Sequence, residues 1–213
     1  MFDLYVVTDS DLSRGRTDAE IARLAYEGGA DAVQLRMKNA DGRSMLAQAK
    51  EIARAAEEYN RFFFVNDRVD IAMASGADGV HLGQSDIPVE DARRMMGDDA
   101  IIGVSVHTVE QAREAIDGGA DYLGVGSIFT TATKADAVQA IGLGVVFQIT
   151  QELDVPVVAI GGINRGNIQD VIRAGADSAA VVSAVVAQDD PAAAAHELRD
   201  LILKVRPHVV EEL

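Results

Sequence analysis

The sequence contains no cysteine, only four prolines and no long apolar run. The lack of cysteine excludes a disulfide framework and thiolate metal sites, and it is compatible with a reducing compartment. No secretory signal is recognisable, because a strand-like segment, Leu4–Thr8, begins almost at Met1. No run approaches the length of a membrane span, and no Ser/Gly-rich or Pro-rich stretch suggests a linker. We therefore expect a cytoplasmic protein with a single domain over residues 1–213.

Positive charge is also scarce. Lysine and arginine number 19 against 34 aspartates and glutamates, which gives a formal net charge of −15. This acidic excess argues against a nucleic-acid or anionic-membrane surface. A small anionic ligand stays open, since its binding depends on local rather than total charge. The sequence leaves open whether the chain forms a homo-oligomer.

Eight short apolar runs recur along the chain, with amphipathic, helix-like segments between them. Most of the runs are continuously apolar rather than alternating, which indicates strands buried on both faces of a parallel sheet. The predicted strands are Leu4–Thr8, Ala32–Arg36, Phe62–Asn66, Gly79–Leu82, Ile101–Ser105, Tyr122–Gly126, Pro156–Ile160 and Ser178–Val182.

The tripeptide Gly-Ala-Asp occurs four times, each time after a helix-like segment and directly before a strand. Its glycine suits the left-handed position that closes a helix. The copies begin at Gly29, Gly76, Gly119 and Gly175, so they precede strands two, four, six and eight. Eight strand–helix units in one small domain predict an α/β fold, a (β/α)8 TIM barrel. The alternative is a doubly wound open sheet, but no Gly-x-Gly-x-x-Gly follows the first strand.

Polar groups end the second strand, at the face where such barrels carry their functional side chains. The segment reads Gln34-Leu-Arg36-Met-Lys38, and strand alternation places Gln34, Arg36 and Lys38 on one side. An amide, a guanidinium and an ammonium at a barrel mouth predict a site for an anion or a polar ring. The alternative is a surface basic pair at a strand terminus.

Carboxylates follow the next two strands. Strand three ends in Asn66-Asp67, and strand four runs on to Asp86. Two carboxylates on neighbouring strand ends beside basic residues suit an octahedral Mg²⁺ that is completed by substrate phosphates and waters. Alternatively, Asp67 caps the next helix and Asp86 is an ordinary loop residue.

The ends of strands five to eight carry further groups that suit an anion. Ser105 ends strand five, and strand six runs into the stretch Gly124-Val-Gly-Ser-Ile-Phe-Thr-Thr-Ala-Thr-Lys134. Hydroxyls, backbone N–H groups and a lysine suit an anion, although a solvated loop has a similar composition. Gly161-Gly162 after strand seven and Val182-Ser183 after strand eight match the phosphate cradle of these barrels. For the glycines, a tight turn with positive φ is the structural alternative.

Two histidines lie near these strand ends. His81 falls within strand four, and we interpret it as structural. For His107, a hydrogen-bonded structural role is favoured over that of a catalytic base. Thr108 is predicted to cap the next helix, with Gln111 completing a capping box.

Two anion sites thus emerge in one barrel mouth. The first uses Arg36, Lys38 and Lys134 with a metal on Asp67 and Asp86. The second uses Gly162, Val182 and Ser183 with threonines of the loop after strand six. Two phosphorylated small-molecule substrates in one mouth suggest a group transfer.

Taken together, the motifs make the chain resemble the thiamine-phosphate synthase family over nearly its whole length. Their combination in this order is specific, whereas any one of them alone is weak. They are Gln34-x-Arg36-x-Lys38, Val65-Asn-Asp67, Val80-His-Leu-Gly-Gln-x-Asp86, Gly103-Val-Ser-x-His-Thr108, Thr131-x-Thr133-Lys134, Ile160-Gly-Gly-Ile163 and Val182-Ser183.

The resemblance implies an enzyme that joins hydroxymethylpyrimidine diphosphate to hydroxyethyl-methylthiazole phosphate, giving thiamine phosphate and pyrophosphate by a Mg²⁺-assisted dissociative substitution. It further implies roles for the matching residues. Those for the pyrimidine diphosphate are Gln34, Arg36, Lys38, Asn66, Ser105 and Lys134, of which Arg36, Lys38, Ser105 and Lys134 are the catalytic set. Those for Mg²⁺ are Asp67 and Asp86. Those for the thiazole phosphate are Thr131, Thr133, Gly162, Val182 and Ser183.

The chain departs from the family pattern in the strand-six motif. Members usually have Gly-Pro where this chain has Gly126-Ser127, and commonly have proline where it has Thr130. A related barrel, a thiazole tautomerase, carries a histidine at the position of Ser127 and does no coupling. A catalytically silent barrel that binds thiamine intermediates as a regulator is the rival of another class. Because the full charged set is present, the resemblance favours the synthase over both.

Overall fold

A computed structural model describes residues 2–130 and 140–206 of the chain. Eight parallel strands close into a barrel in the order β1 to β8, each paired with its sequence neighbours and β1 with β8. The strands are β1 Leu4–Val7, β2 Ala32–Leu35, β3 Phe62–Asn66, β4 Gly79–Leu82, β5 Ile101–Val106, β6 Tyr122–Val125, β7 Val157–Ile160 and β8 Ser178–Val181. Each bound lies within one residue of its prediction.

Helices follow every strand and surround the barrel. They are α1 Asp18–Glu27, α2 Gly42–Tyr59, α3 Val69–Ser75, α4 Val89–Met96, α5 Val109–Asp117, α6 Leu143–Glu152, α7 Ile168–Arg173, α8 Ser183–Val186 and α9 Pro191–Leu203. The predicted single-domain (β/α)8 barrel is confirmed, and the doubly wound alternative is wrong. Among the helices of these two described ranges, none combines the length and the apolar character needed to span a bilayer.

Two separate apolar clusters hold the barrel together. The larger one lies between the sheet and the helices and contains residues such as Val6, Val33 and Ile52. The smaller one fills the barrel interior with Phe2, Tyr5, Phe64, Tyr122, Val158 and Ala180, among others. Every residue of β1, β2, β4, β6 and β8 is buried, as strands enclosed on both faces require.

The four Gly-Ala-Asp segments close helices and also tie strands together. Their glycines all have positive φ, which confirms the predicted left-handed position. Each aspartate accepts a hydrogen bond from the backbone at the start of the preceding strand. We call these four contacts the strand clips. Asp31 binds Asp3 N (2.9 Å) and Leu4 N (3.2 Å), Asp78 binds Phe63 N (2.7 Å), Asp121 binds Ile102 N (2.7 Å) and Asp177 binds Val157 N (2.8 Å).

Candidate active site

A cavity opens at the carboxyl ends of the strands. Most of the side chains that the sequence singled out line it together, which confirms their placement at one mouth. These are Gln34, Arg36, Lys38, Asn66, Asp67, Asp86, Ser105, Gly162, Val182 and Ser183. Thr131, Thr133 and Lys134 lie outside the described residues. The cavity is also lined by groups that the sequence analysis did not assign to the site, among them Tyr5, Asp9, Ser127 and Tyr122.

Arg36 is held in the mouth from two sides. Its guanidinium lies 3.4 Å from Asp9 Oδ2, and its backbone N–H donates to Thr8 Oγ1 at 3.2 Å. Both partners directly follow β1, so the neighbouring strand fixes the direction of the Arg36 side chain. Gln34 and Lys38 face the same cavity, as strand alternation predicted, although β2 ends at Leu35 and Lys38 stands in the following loop.

Asp67 and Asp86 lie side by side next to Lys38. The Lys38 ammonium is 2.8 Å from Asp67 Oδ2, and Asp86 Oδ2 accepts from the backbone N–H of Gly83 at 2.6 Å. Desolvation raises the pKa of Asp86, and the neighbouring Asp67 carboxyl raises it further. The helix-cap alternative for Asp67 is wrong: α3 begins after Arg68, which makes no side-chain cap hydrogen bond. Asp67 itself takes a left-handed backbone conformation, with φ of 62°.

This carboxylate pair fits a divalent cation. The Asp67 carboxyl is close enough to raise the pKa of Asp86, and the Lys38 ammonium pairs with Asp67. Across residues 2–130 and 140–206, no three His, Asp or Glu side chains gather as a complete metal cage. A pair of carboxylates open to a cavity suits Mg²⁺, which takes few protein oxygens and keeps waters or substrate phosphates.

Ser105 and His107 face the cavity from the end of β5. The Ser105 hydroxyl is 2.9 Å from His81 Nε2. The backbone carbonyl of Ser105 accepts from Gln84 Nε2 at 2.7 Å. His107 Nδ1 is hydrogen-bonded to the carbonyl of Gly126, in keeping with the favoured structural role. His81, interpreted as structural, is indeed buried, but it contacts a predicted site residue directly.

The turn into α5 differs from its prediction in one contact. Thr108 Oγ1 accepts from Gln111 N at 3.2 Å, so the cap itself is confirmed. The returning bond of a capping box is absent, however, because Gln111 Oε1 accepts from His107 N at 2.8 Å instead of from Thr108 N. The Gln111 side chain thus binds the backbone N–H of His107, one residue before Thr108, and holds His107 beside the mouth.

The paired glycines after β7 serve the packing of the neighbouring loop. Gly161 and Gly162 have φ of 107° and 65°, so the turn that we considered as an alternative is present. A Cβ on Gly162 would lie 2.8 Å from both Phe129 Cβ and Thr130 O. The absence of a side chain on Gly162 therefore lets the loop after β6 pack closely against this turn. Ser183, the first residue of α8, completes this side of the cavity.

Asp18 is a buried carboxyl that hydrogen-bonds Thr8, the residue that also accepts from the Arg36 backbone. It is 3% exposed, and its Oδ1 has no hydrogen-bond partner among the described residues. Burial raises the pKa of Asp18, a hydrogen bond from Thr8 opposes that shift, and the charge of Asp9 adds to it. The folded state therefore holds this proton to higher pH than the unfolded state does.

We expect the stability gained by Asp18→Asn, relative to the unchanged chain, to increase with pH. Between the unfolded pKa and the raised folded pKa of Asp18, the unfolded state binds fewer protons, so the free energy of unfolding of the unchanged chain falls as pH rises. The asparagine variant lacks this loss. Urea titrations from pH 3 to pH 7 measure the difference, and a difference that is constant across that range would contradict the expectation. A change in stability that the new amide causes equally at every pH does not affect how this difference varies with pH.

The chain is similar to known proteins over nearly its whole length. A family model described as thiamine monophosphate synthase matches residues 4–185. The thiamine-phosphate synthase of Chloroflexus aurantiacus is 52% identical over 93% of this chain and 92% of its own. That of Methanocella arvoryzae is 49% identical over 96% and 97%. The solved thiamine phosphate pyrophosphorylase from Pyrococcus furiosus has a TM-score of 0.89 and 45% identity, covering 96% of this chain and 97% of that one. A 3-hexulose-6-phosphate synthase, at 21% identity and a TM-score of 0.65, shares the fold alone.

Proposed function

The chain belongs to the thiamine-phosphate synthase family, and from that premise we propose that it joins hydroxymethylpyrimidine diphosphate to hydroxyethyl-methylthiazole phosphate. The products are thiamine phosphate and pyrophosphate. One observation carries the proposal: the basic groups of Arg36 and Lys38 and the acidic pair Asp67 and Asp86 line one cavity. That combination suits a diphosphate bound together with a cation.

The diphosphate would bind at the ends of β2, β3 and β4. Arg36 offers a planar pair of N–H donors, and Asp9 already fixes its direction. Lys38 adds a point charge, and Asp67 and Asp86 would hold Mg²⁺ beside the diphosphate. When bound, Mg²⁺ would supply Lewis-acid neutralisation of the leaving group. Lys134 is proposed as a further positive charge at the same leaving group.

The proposed reaction is a dissociative substitution at the exocyclic carbon of the pyrimidine. The bond from this carbon to the diphosphate oxygen breaks, and its electron pair leaves with pyrophosphate. Electron donation from the amino-substituted ring stabilises the cation that develops, while Arg36 and Lys38 stabilise the departing oxygen. The thiazole nitrogen then forms the new bond with its own lone pair. Because that nitrogen is already a free nucleophile, the step needs no covalent enzyme intermediate and no strong general base.

The thiazole phosphate would lie on the opposite side of the mouth. Gly162, Val182 and Ser183 line the cavity there, and Thr131 and Thr133 are proposed as further contacts. Two rings held side by side in one enclosed mouth would contribute several kcal/mol through orientation alone. We place the enzyme in the cytoplasm as part of the same proposal, on the lack of cysteine.

A coupling assay tests the function. Purified protein is supplied with both phosphorylated substrates, with Mg²⁺ or with a chelator, and thiamine phosphate and pyrophosphate are quantified. We expect both products in equal amounts and only with the metal. Isomerisation of a thiazole substrate without coupling would identify a tautomerase, and binding without turnover would identify a regulator. One residue argues against a tautomerase. Ser127 stands where the tautomerase has its histidine, and the Ser127 hydroxyl donates to Phe129 O at 2.9 Å.

A further inference from the structure

Five side chains form an unbroken hydrogen-bonded chain through the barrel interior, from β2 to β5. Its members, in spatial order, are Gln34, Tyr5, Tyr122, His81 and Ser105, which we call the polar chain. Gln34 Nε2 donates to the Tyr5 hydroxyl at 3.0 Å, and the hydroxyls of Tyr5 and Tyr122 are 3.1 Å apart. His81 Nδ1 lies 3.0 Å from the Tyr122 hydroxyl, and its Nε2 lies 2.9 Å from Ser105 Oγ.

The backbone is shaped to admit this chain. A Cβ on Gly103 would lie 2.0 Å from the Tyr122 ring, and a Cβ on Gly124 would lie 2.7 Å from His81 Cε1. Both glycines stand inside strands, where glycine is unfavourable for the strand itself. Their presence therefore makes room for the Tyr122 phenol and the His81 imidazole. Phe64 packs against Tyr122 edge to face, with ring centroids 5.6 Å apart, and fixes that ring further.

One direction of donation satisfies every buried hydroxyl of the polar chain. Tyr5 accepts from Gln34 and donates to Tyr122, which donates to His81 Nδ1; Nε2 then carries the proton and donates to Ser105. In the reverse direction, Tyr5 accepts from both neighbours, and its own proton has no acceptor among its described contacts. Tyr5 is only 1% exposed, so an unsatisfied proton there is costly. The first direction leaves the spare proton on Ser105, at the open cavity.

We propose that Tyr122 and His81 are positioning residues that hold Ser105 as a hydrogen-bond donor toward the pyrimidine substrate. The nitrogens of a pyrimidine ring carry lone pairs, so they accept from a hydroxyl and cannot donate to one. With His81 in the Nε2–H form, Ser105 has no acceptor on the protein side of its hydrogen bond and turns its proton to the ring. The inference rests on the proposed function, since it takes the pyrimidine diphosphate as the partner of Ser105.

Tyr122→Phe tests the proposal because it removes one hydroxyl and keeps the ring. His81 Nδ1 then loses the hydrogen bond from the Tyr122 hydroxyl, the other tautomer becomes accessible, and Ser105 can donate back to His81. We expect kcat/KM for the pyrimidine diphosphate to fall about tenfold, the effect of one lost hydrogen bond, with an unchanged KM for the thiazole phosphate. A loss confined to the thiazole phosphate, or no loss at all, would overturn the proposal.

Tyr26→Phe is the matched control. The Tyr26 hydroxyl is also buried and donates to Phe62 O at 2.9 Å, but it lies outside the barrel interior. We expect this variant to lose stability as Tyr122→Phe does while keeping both KM values. Equal kinetic losses in the two variants would show a general effect of phenol removal and would refute the positioning role.

A double-mutant comparison separates action through Ser105 from independent action. If Tyr122 acts through Ser105, Tyr122→Phe combined with Ser105→Ala has the kcat/KM of Ser105→Ala alone. Losses that multiply would overturn the proposal. Should Tyr122→Phe fail to fold, the protonation of the His81 ring nitrogens in the unchanged chain still tests the direction of donation.

The tautomer of His81 is measurable without any turnover. In protein with ¹⁵N-labelled histidine, NMR distinguishes protonated from unprotonated ring nitrogens, and a His81→Asn sample assigns the signals. We expect Nε2–H in the unchanged chain and a population of Nδ1–H in Tyr122→Phe. An Nδ1–H form in the unchanged chain would overturn the direction of donation. Failure of the coupling assay with an intact Nε2–H signal would instead remove the proposed function.

Discussion

Asp86→Asn is expected to lower the kcat of Mg²⁺-dependent coupling by more than about 100-fold, because second-sphere metal partners alone contribute 10–100-fold. The variant keeps an oxygen that can accept from Gly83 N, the contact that shapes this loop at 2.6 Å. It removes the charge that would bind the cation. The half-saturating Mg²⁺ concentration should rise together with the loss of kcat, and steady-state rates over a Mg²⁺ titration measure both.

The matched control for Asp86 is Asp91→Asn, in the first turn of the following helix. Asp91 pairs with Arg94 at the surface, away from the cavity, so the coupling rate should stay unchanged. For the partner carboxylate, Asp67→Asn is preferable to alanine, since Asp67 has φ of 62° and asparagine tolerates this conformation. Full activity of both Asp67→Asn and Asp86→Asn would refute the metal assignment.

Arg36→Gln is expected to lower kcat/KM for the pyrimidine diphosphate by about 10²–10³-fold, the cost of removing one hydrogen-bond donor from a developing oxyanion. Asp9 holds the guanidinium in place, at 3.4 Å, before any substrate arrives, so little ordering is left for the bound state. Arg36→Lys should recover only part of the loss, because an ammonium keeps the charge but cannot offer two parallel N–H donors. Initial rates with each substrate varied in turn measure the effect.

Arg23→Gln is the corresponding control. Arg23 also forms a single ion pair, with Glu58 at 2.8 Å, but it lies on the outer helices, and its loss should leave both KM values unchanged. An Arg36→Gln variant that changes only the KM of the thiazole phosphate would move Arg36 to the other half of the mouth. Thermal unfolding of both variants checks that each keeps the fold.

The sequence predicts the strand ends well because their polar groups interrupt apolar runs. Gln34, Asp67 and Asp86 stand out for this reason, and the order of the strands then brings them together. The polar chain is different. Tyr5 and Tyr122 sit within apolar runs of strands buried on both faces, and such a pattern does not show which residues face the barrel interior. Their hydroxyl partners lie on other strands, so no local spacing reveals them.

The Gly-Ala-Asp repeat shows the same limit in one motif. The glycine was predictable because its role depends on the backbone of its own turn. The aspartate was not, since Asp31 binds the backbone of Asp3 and Leu4, which are 28 and 27 residues away in the chain. Likewise, the helix-cap alternative for Asp67 was plausible from spacing alone. Only the geometry shows that α3 begins after Arg68 without a side-chain cap.

The strand clips also determine where the chain tolerates a new opening. Each clip joins an even-numbered strand to the odd-numbered strand before it, so the barrel consists of four clipped pairs. Arg206 Nη2 donates to Phe2 O at 3.3 Å, which brings the two ends of the described chain into contact. A circular permutant opened between two pairs, at Asp98–Asp99 after α4, keeps all four clips intact. One opened inside a pair separates a carboxylate from the strand that it holds.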